Sequence, residues 1–410
     1  MRKKVITSAV IILILSIILL LINHYKGHNS IAAPEITLVY AENQVEDYPT
    51  TKGAYEFARL VNERTNGRIK IVVKCNGELG DEKSVIEQLK FGGIDFSRVS
   101  ISSISDDIPA LKVIQMPFLY SDAQEMLDVL NGKEGMQFVD AVRESNLGVR
   151  ALSWYDAGAR SFYSVKPVTA IQDLQGLNIR VQESELMSET IEMLGANPVK
   201  MTYSEVYKGL QTGKIDGAEN SLVTYTYSKH YEQAKYCLID EHTRIPEVQL
   251  ISRYTWDKLS DEDKAIISEC AKESARSEDR DIWKNTEEAA VKMIEDKDIT
   301  VTKVSDEEKQ NLREKLQPIY DKYCSNYIDI IKEIEKNQID CVVFTSASTV
   351  KGFVESVGST DYAGLTAACI GKQTKAAADA FGMETYMAEK ATIEELIRLV
   401  EEIKEKKERE

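Results

Sequence analysis

Three short motifs between residues 158 and 221 decide how this chain of 410 residues folds. They are GAR at 158–160, LNIRVQ at 177–182 and DGAEN at 216–220. The alternation of apolar and polar residues in LNIRVQ is typical of a strand with one buried face. A guanidinium is planar and donates two parallel hydrogen bonds to a carboxylate, so Arg160 and Arg180 predict capture of a small organic anion. The alternative is that both arginines are solvated or paired with acidic side chains.

The overall charge limits the partners of this chain. With 67 acidic and 51 basic residues, the net charge is −16, which argues against binding to nucleic acid or to an acidic membrane surface. An anion site in such a chain must be a local cluster of buried arginines. The six cysteines contain no CxxC pair and only four histidines occur, so neither a metal site nor a histidine-based catalytic triad is predicted. No cofactor is expected.

The first 33 residues form a predicted targeting segment. Arg2, Lys3 and Lys4 precede an apolar run at 5–22. The run is long for a signal peptide and just long enough to span a bilayer, so a cleaved signal and a retained anchor both stay open. Either way, the charge pattern predicts export, which places everything downstream outside the cytoplasm.

From residue 35 onward the pattern alternates between strand and helix. In the first part, strands are predicted at 36–40, 69–74, 94–100 and 148–154, and helices at 53–65, 82–91, 123–130 and 135–145, with a loop at 109–120. Further on, helices are predicted at 184–194 and 205–211, strands at 216–219 and 248–254, and largely helical structure at 260–297 and 306–337. This order predicts an α/β fold with a mostly parallel sheet.

The motifs together resemble those of the extracytoplasmic solute-binding proteins of TRAP transporters, the DctP type. The resemblance covers residues 35–330 and is carried by LGDE at 79–82, GGIDF at 92–96, MPF at 116–118, DLQGLNIRVQ at 173–182, SEVY at 204–207 and LQTGKIDGAEN at 210–220. It implies a two-lobed, periplasmic-binding-protein-like α/β fold with a long bracing helix, for which 260–297 is the candidate. The expected solute-binding domain is 34–337, with lobe 1 at 34–157 and 246–285 and lobe 2 at 158–245 and 286–337.

The resemblance also implies a set of ligand-binding residues. Arg180 takes the position that salt-bridges the solute carboxylate. The other expected ligand-binding residues are Arg160, Tyr203 and Asn220 in the second lobe and Asn43, Glu82, Arg98 and Ser100 in the first. No residue is expected to be catalytic, and the chain is expected to be a monomer that delivers its solute to the membrane subunits of a permease.

Each of these positions has a structural alternative. The alternative interpretation of Arg160 is a surface residue, and that of Asn220 is a turn residue bonded to its own backbone. Glu82 suits the first turn of a helix, where the dipole favours an acid. Arg98 is placed to pair with Glu82 instead of with solute, and Tyr203 is compatible with ordinary core packing.

A hexuronate is the favoured solute. Glu82 and Arg98, together with the continuation at 182–184, resemble members of the family that bind sugar acids. A hexuronate offers one carboxylate to Arg180 and several hydroxyl groups, and an ionised Glu82 accepts hydrogen bonds from hydroxyls but repels a second carboxylate. A C4-dicarboxylate is the alternative.

A second α/β pattern begins near residue 338. Strands are predicted at 340–344, 365–370 and 384–388, alternating with helices that follow Ser346 or Ser348, Gly371 and Thr392. The segments FTSASTV at 344–350 and IGKQT at 370–374 resemble the C-terminal part of uroporphyrinogen-III synthase, in which these loops, including the threonine matching Thr374, face a tetrapyrrole. Because such an enzyme needs two domains, 338–410 is interpreted first as a non-catalytic appendage or fusion artefact, with a degenerate binding module and a working synthase as alternatives.

Overall fold

The computed structural model describes residues 33–277, 282–324, 341–357, 362 and 365–407. The chain divides into two compact units, one ending at Ile319 and one beginning at Tyr320. The predicted targeting segment and the end of the predicted helical region, 325–337, lie outside the described residues. Within the described ranges, no helix combines the length and apolar character needed to cross a bilayer.

The first unit contains two β-sheets with helices around them. Its strands are β1 (Ile36–Ala41), β2 (Ile69–Lys74), β3 (Phe96–Ser100), β4 (Val149–Tyr155), β5 (Ala159–Ser164), β6 (Asn178–Val181), β7 (Asn197–Lys200), β8 (Gly217–Ser221), β9 (Tyr236–Arg244), β10 (Glu247–Ser252) and β11 (Thr300–Lys303). Its helices are α1 (Pro49–Arg64), α2 (Glu82–Lys90), α3 (Ala123–Asn131), α4 (Lys133–Glu144), α5 (Glu185–Leu194), α6 (Val206–Thr212), α7 (Leu222–Tyr227), α8 (Arg253–Trp256), α9 (Asp261–Ser277), α10 (Lys284–Glu295) and α11 (Asp306–Lys315), and α12 (Gln317–Tyr323) spans the division between the units.

Each sheet forms the centre of one lobe. Lobe 1 has the strand order β2-β1-β3-β10-β4 and lobe 2 the order β11-β9-β5-β8-β6-β7. The α/β class is therefore confirmed, but the expectation of a mostly parallel sheet is only partly right. Strand β10 runs antiparallel to β3 and β4, and β5 runs antiparallel to β8 and β9, because the chain crosses between the lobes on these strands.

A helix that supplies the core of lobe 1 begins earlier than predicted. Tyr40, Phe57 and Phe96 pack as an aromatic cluster, with 5.2 Å between the ring centroids of Phe57 and Phe96. Helix α1, which supplies Phe57, begins at Pro49 and not at residue 53 as expected from the apolar pattern. Proline lacks an N–H that the first turn would leave unpaired anyway, so it starts the helix ahead of the amphipathic stretch.

The stretch expected as a loop at 109–120 contains a 3₁₀-helix, Pro109–Gln115. Leu111 and Ile114 are buried in its turns, so packing against lobe 1 stabilises helical backbone that local sequence signals do not specify. This expectation was wrong.

The predicted bracing region is described as two helices. In α9, Ile267 and Ala271 belong to the core of lobe 1, and in α10, Ile294 belongs to the core of lobe 2. Between them, Trp283 packs with Tyr48 of lobe 1 and Val223 of lobe 2. The region therefore braces both lobes, as the resemblance implies.

The second unit confirms the predicted alternation in the tail. Strands β12 (Val342–Phe344), β13 (Thr366–Cys369) and β14 (Glu384–Met387) form a parallel sheet. Helices α13 (Ala347–Val357), α14 (Lys372–Asp379) and α15 (Ile393–Lys407) follow the strands in turn. The side chain of Ser346 accepts a hydrogen bond from the Thr349 amide at the start of α13, which is a typical N-cap.

Candidate functional site

A cleft of about 570 Å³ opens between the two sheets of the first unit. All eight side chains predicted to bind ligand line it. From lobe 1 come Asn43 after β1, Glu82 at the start of α2, and Arg98 and Ser100 on β3; from lobe 2 come Arg160 on β5, Arg180 on β6, Asn220 on β8 and Tyr203 after β7. The parallel strands β1 and β3 in lobe 1 and β6 and β8 in lobe 2 bring most of these residues to one edge of each sheet, and Arg160 reaches the same edge from the amino end of the antiparallel β5.

Arg180 differs from the other two arginines in lacking a carboxylate partner. Its side chain is 4% exposed, and its Nε donates to the carbonyl oxygen of Met201 at 2.9 Å. Among the described residues, no acid lies within ion-pair distance, and neither terminal nitrogen has a hydrogen-bond acceptor. Burial lowers the pKa of this guanidinium, which is the effect expected of a cation whose charge is poorly compensated.

Arg160 is fully compensated by Glu219 of β8. Its Nη2 donates to Glu219 Oε1 at 2.9 Å and to the Glu219 carbonyl at 2.8 Å, and its Nε donates to Glu219 Oε2. Its Nη1 donates to Asn220 Oδ1 at 3.0 Å. The surface alternative for Arg160 is wrong, and the guanidinium is held as a fixed wall of the cleft.

His242 of β9 continues this chain of charges into the core of lobe 2. Its Nδ1 lies 3.0 Å from Asp240 Oδ2, and its Nε2 lies 3.6 Å from Glu219 Oε2, which is an ion-pair distance longer than a hydrogen bond. Burial alone would lower the pKa of His242, but the two carboxylates raise it to about 9. Burial likewise opposes ionisation of Glu219, yet Arg160 and His242 lower its pKa to about 2. Cationic and anionic side chains therefore alternate behind the cleft, in the order Arg160, Glu219, His242 and Asp240.

Arg98 stands at the centre of an acidic cluster in lobe 1. Its Nε donates to Glu42 Oε2 at 3.1 Å, its Nη2 donates to Glu42 Oε1, and its Nη1 lies 2.9 Å from Glu247 Oε1. Glu82 Oε1 is more distant, at 3.8 Å. Burial alone would lower the pKa of Arg98, but Glu247 and Glu42 raise it well above its ordinary value. The expected pairing with Glu82 exists, and Glu42 and Glu247 are the nearer partners.

Glu82 is held by hydrogen bonds that aim it at the cleft. Its Oε1 accepts from the Ser100 amide at 3.0 Å and from Asn43 Nδ2 at 3.3 Å, and its Oε2 accepts from Ser103. Asn43 Oδ1 in turn accepts from Arg98 at 2.6 Å. Glu82 is also in the first turn of α2, so both interpretations of this residue describe the same position.

The two lobes touch directly across the cleft. The hydroxyl of Tyr203 donates to Gln44 Oε1 at 2.9 Å, and the hydroxyls of Tyr48 and Thr224 lie 2.9 Å apart. The Glu185 amide at the start of α5 donates to Asp106 Oδ2 of lobe 1 at 3.2 Å. These contacts join the two lobes directly, and Tyr203 therefore belongs to a contact between lobes and not to ordinary core.

Asn220 lines the cleft and also bonds its own backbone. Its Oδ1 accepts from the Ser221 amide at 2.8 Å, which is the local use expected of a turn residue, and also from Arg160. The strand that carries it extends to Ser221, two residues beyond the predicted end.

Four charged residues of the site were missed from the sequence: Glu42, Glu219, His242 and Glu247. Glu219 lies inside the DGAEN motif, where an acid beside the strand carrying Arg160 was an available signal. His242 lies on β9, a strand that was not predicted. The other two become partners of Arg98 only through pairing between distant strands.

A two-lobed α/β fold around a cleft in which Arg180 has no acidic partner among the described residues is the arrangement expected of a solute-binding protein. The chain belongs to the DctP family, described as bacterial extracellular solute-binding protein, family 7, whose model matches residues 40–326. It is thus a solute-binding protein of the TRAP-transporter type.

Relatives and solved structures agree with this assignment. A solute-binding protein of Chromohalobacter salexigens is 36% identical over 284 residues, which cover 69% of this chain and 83% of the relative. A solute-binding protein from Bradyrhizobium sp. BTAi1, solved with galacturonate, is 38% identical with a TM-score of 0.68, covering 70% of this chain and 95% of that one. A Pseudomonas putida F1 protein, solved with D-glucuronate, is 31% identical with a TM-score of 0.69, covering 74% of this chain and 98% of that one.

The tail matches a different family. The model of uroporphyrinogen-III synthase, HemD, covers residues 308–398. This range begins within the first unit and includes the three-stranded sheet of the second.

Proposed function

We propose that the cleft captures a single hexuronate, such as D-galacturonate or D-glucuronate, and delivers it to the membrane subunits of a TRAP permease. The observation that carries this proposal is the state of the three buried arginines. Arg180 has free terminal nitrogens among the described residues, whereas Arg160 and Arg98 are paired with Glu219 and with Glu42 and Glu247. One available cation suits one carboxylate.

Lobe 1 supports a polyhydroxylated solute. Glu82, Asn43 and Glu247 supply oxygen acceptors and an amide at the side of the cleft opposite Arg180. Hydroxyl groups donate to and accept from such a mixed set, so the sugar ring of a hexuronate finds partners there. The relatives solved with galacturonate and glucuronate have the same fold, which favours the same chemical class of solute.

A C4-dicarboxylate is the second candidate and fits this charge distribution less well. Its second carboxylate would lie beside three acids that share one guanidinium. A buried carboxylate without a cationic partner costs roughly several kcal/mol of binding free energy. Binding of a dicarboxylate would need Arg98 to release Glu42 or Glu247.

Calorimetry on the purified chain tests the choice. Titration with D-galacturonate, D-glucuronate, succinate and L-malate at pH 7 should show tight binding of at least one hexuronate and binding at least about a hundredfold weaker for both dicarboxylates. Galactose is the matched neutral control, because it keeps the ring and lacks the carboxylate. Preference for succinate or malate would overturn the proposal.

The ligand-binding roles of the eight predicted residues are part of the same proposal. Arg180 holds the carboxylate; Arg160 and Asn220 wall the second lobe; Asn43, Glu82, Arg98 and Ser100 wall the first; Tyr203 covers the cleft. We propose the division into lobes and tail with the boundaries given above, a monomeric chain, and a segment 1–33 that exports the chain or anchors it outside the cytoplasm.

For the tail we propose a non-catalytic appendage. The second unit has one three-stranded sheet among its described residues, whereas the synthase it resembles surrounds its substrate with two domains. Incubation of the full chain with hydroxymethylbilane should give only the spontaneously formed type I isomer. Formation of the type III isomer would show a working enzyme.

A further inference from the structure

Glu247 occupies the point where the chain returns to lobe 1 and faces the cleft. It is the first residue of β10, opposite Ser100 on β3 and Tyr155 on β4. Its Oε1 pairs with Arg98, but its Oε2 is buried and has no hydrogen-bond partner among the described residues. An unpaired buried carboxylate oxygen is unfavourable, and because the Glu247 side chain lines the cleft, a partner that arrives with the solute would satisfy it.

The charges around Glu247 do not balance. Arg98 on β3 faces it together with Glu42 after β1, Glu82 on α2 and Arg160 on β5, and Arg160 already pairs with Glu219. The nearby groups Tyr40 and Tyr48 are phenols with raised pKa values and carry no charge at neutral pH. One guanidinium therefore serves three carboxylates.

The position of Glu247 among these groups favours its neutral form. Burial has the largest effect, and Glu82 and Glu42 add repulsion that Arg98 only partly offsets, so the pKa of Glu247 is raised to about 7. The two other carboxylates of the cluster are better held, since Glu42 has two bonds from Arg98 and Glu82 has a backbone amide and two side-chain donors. Of the three acids, Glu247 is the one whose second oxygen is free to carry a proton.

We propose that Glu247 binds a proton as the cleft closes on its solute and donates a hydrogen bond from Oε2 to a hydroxyl oxygen of the sugar acid. This inference rests on the proposed hexuronate function. The proton comes from solvent and returns to solvent on release. In the loaded cleft Arg180 neutralises the solute carboxylate, and the neutral Glu247 reduces the acidic surplus that faces the bound anion.

Binding is then linked to proton uptake. When solute binding raises the pKa of a group, the affinity is highest below the pKa that the group has in the unloaded chain. The affinity then falls as the pH rises above that value. With a free pKa near 7, the dissociation constant should be about tenfold larger at pH 8 than at pH 6. The buried histidines of lobe 2 do not titrate between pH 6 and pH 8, because two carboxylates raise the pKa of His242 to about 9, and burial and Arg180 lower the pKa of His230 to about 3.

Calorimetry with D-galacturonate and D-glucuronate in phosphate and in Tris buffer tests the proposal. These buffers differ in ionisation enthalpy, so the difference between the two observed enthalpies gives the number of protons taken up. The wild-type chain should take up between about 0.5 and one proton per solute at pH 7.5. The Glu247→Gln variant, which keeps the shape and a donor, should bind with no proton uptake and with a dissociation constant that is constant from pH 6 to pH 8.

Glu46→Gln is the matched control, since Glu46 is an exposed acid of the loop that carries Glu42 and should keep the wild-type proton uptake. Binding of a hexuronate without proton uptake in the wild type would overturn this inference and leave the proposed function standing. Failure of every hexuronate to bind would overturn both. If Glu247→Gln does not fold, the wild-type buffer comparison still decides between uptake and its absence.

Discussion

The two lobes present arginines to the same cleft in opposite electrostatic states. In lobe 2, Arg160 is matched by Glu219, and Arg180 is left without an acidic partner among the described residues. In lobe 1, Arg98 is surrounded by Glu42, Glu247 and Glu82. The second lobe thus has one positive charge to spare, and the first has an excess of negative charge. This polarity suits the proposed hexuronate, which is anionic at one end and hydroxylated at the other.

The comparison also separates residues that bind the solute from residues that stabilise the fold. Arg160 and Arg98 have their nitrogens engaged by the protein, so their removal should affect folding as well as affinity. Among the described residues Arg180 donates only from Nε, so its removal should affect affinity first. The variants below are ordered from the largest expected effect to the smallest.

Removal of Glu219 should cause the largest loss. Glu219→Ala leaves the buried cations Arg160 and His242 without their shared acid, and breaking a buried ion pair costs about 3–5 kcal/mol of the free energy of unfolding. Urea denaturation measures this loss. Glu241→Ala on the same strand as His242 is the control, since that acid is exposed and should change stability by less than about 1 kcal/mol. Equal stability of the two variants would contradict the account.

Removal of Arg180 should abolish most of the affinity with the fold intact. Arg180→Ala should raise the dissociation constant for the hexuronate about a hundredfold or more, which corresponds to about 2–5 kcal/mol for a buried bidentate contact. Arg180→Lys keeps the charge without the planar pair of donors, so its dissociation constant should lie between those of the wild type and of Arg180→Ala. A folded Arg180→Ala variant with wild-type affinity would show that another residue holds the carboxylate.

His242 should make stability fall at alkaline pH. Because its pKa is raised from about 6.5 unfolded to about 9 folded, its contribution is fully present below pH 6.5 and is lost as the pH rises through 9. The contribution is on the order of 1–3 kcal/mol. The melting temperature of the wild type should therefore fall more between pH 7 and pH 9.5 than that of His242→Gln. Parallel curves would argue that His242 is neutral in the folded chain.

The hydroxyl of Tyr203 should have the smallest effect. Tyr203→Phe removes a hydrogen bond to Gln44 across the lobes and a contact with the Ser228 hydroxyl within lobe 2. Loss of the bond between the lobes should weaken solute binding about three- to tenfold, the equivalent of one ordinary hydrogen bond. Tyr207→Phe is the control, because that hydroxyl bonds Glu232 within the second lobe. If both variants bind as the wild type does, closure does not depend on this contact.

Local patterns in the sequence were enough for β6 and β8, two of the three strands that carry the lobe 2 motifs, but no strand was predicted for β5, which carries Arg160. Strand β6, with Arg180 between Ile179 and Val181, shows the alternation of apolar and polar residues that is typical of a strand, although Arg180 is itself buried. In the tail, each strand of the second unit also overlaps its predicted range. In these segments the residues that determine the backbone are neighbours in sequence.

Strand β9 escaped prediction because the buried positions in its second half are polar, although Cys237 and Leu238 near its start are buried and apolar. Asp240 and His242 are fully buried, so the strand does not show the apolar alternation by which strands are recognised. Buried charges of this kind are stable only because Glu219 and Arg160 of other strands compensate them.

The acidic partners of Arg98 could not be predicted, because they lie far from it in the sequence. Glu247 and Arg98 are neighbours because β10 pairs antiparallel with β3, a contact between residues about 150 positions apart in sequence. A local pattern identifies a charged residue but not the charge that will face it. The sequence therefore predicted which residues line the cleft, and the pairing of strands determines which of their charges remain available.

A crystal structure of the chain with D-galacturonate tests the central claim most directly. The account predicts that the solute carboxylate accepts two hydrogen bonds from the terminal nitrogens of Arg180, with Arg98 still paired to Glu42 and Glu247. A carboxylate bound to Arg98, with Glu42 or Glu247 displaced, would contradict it.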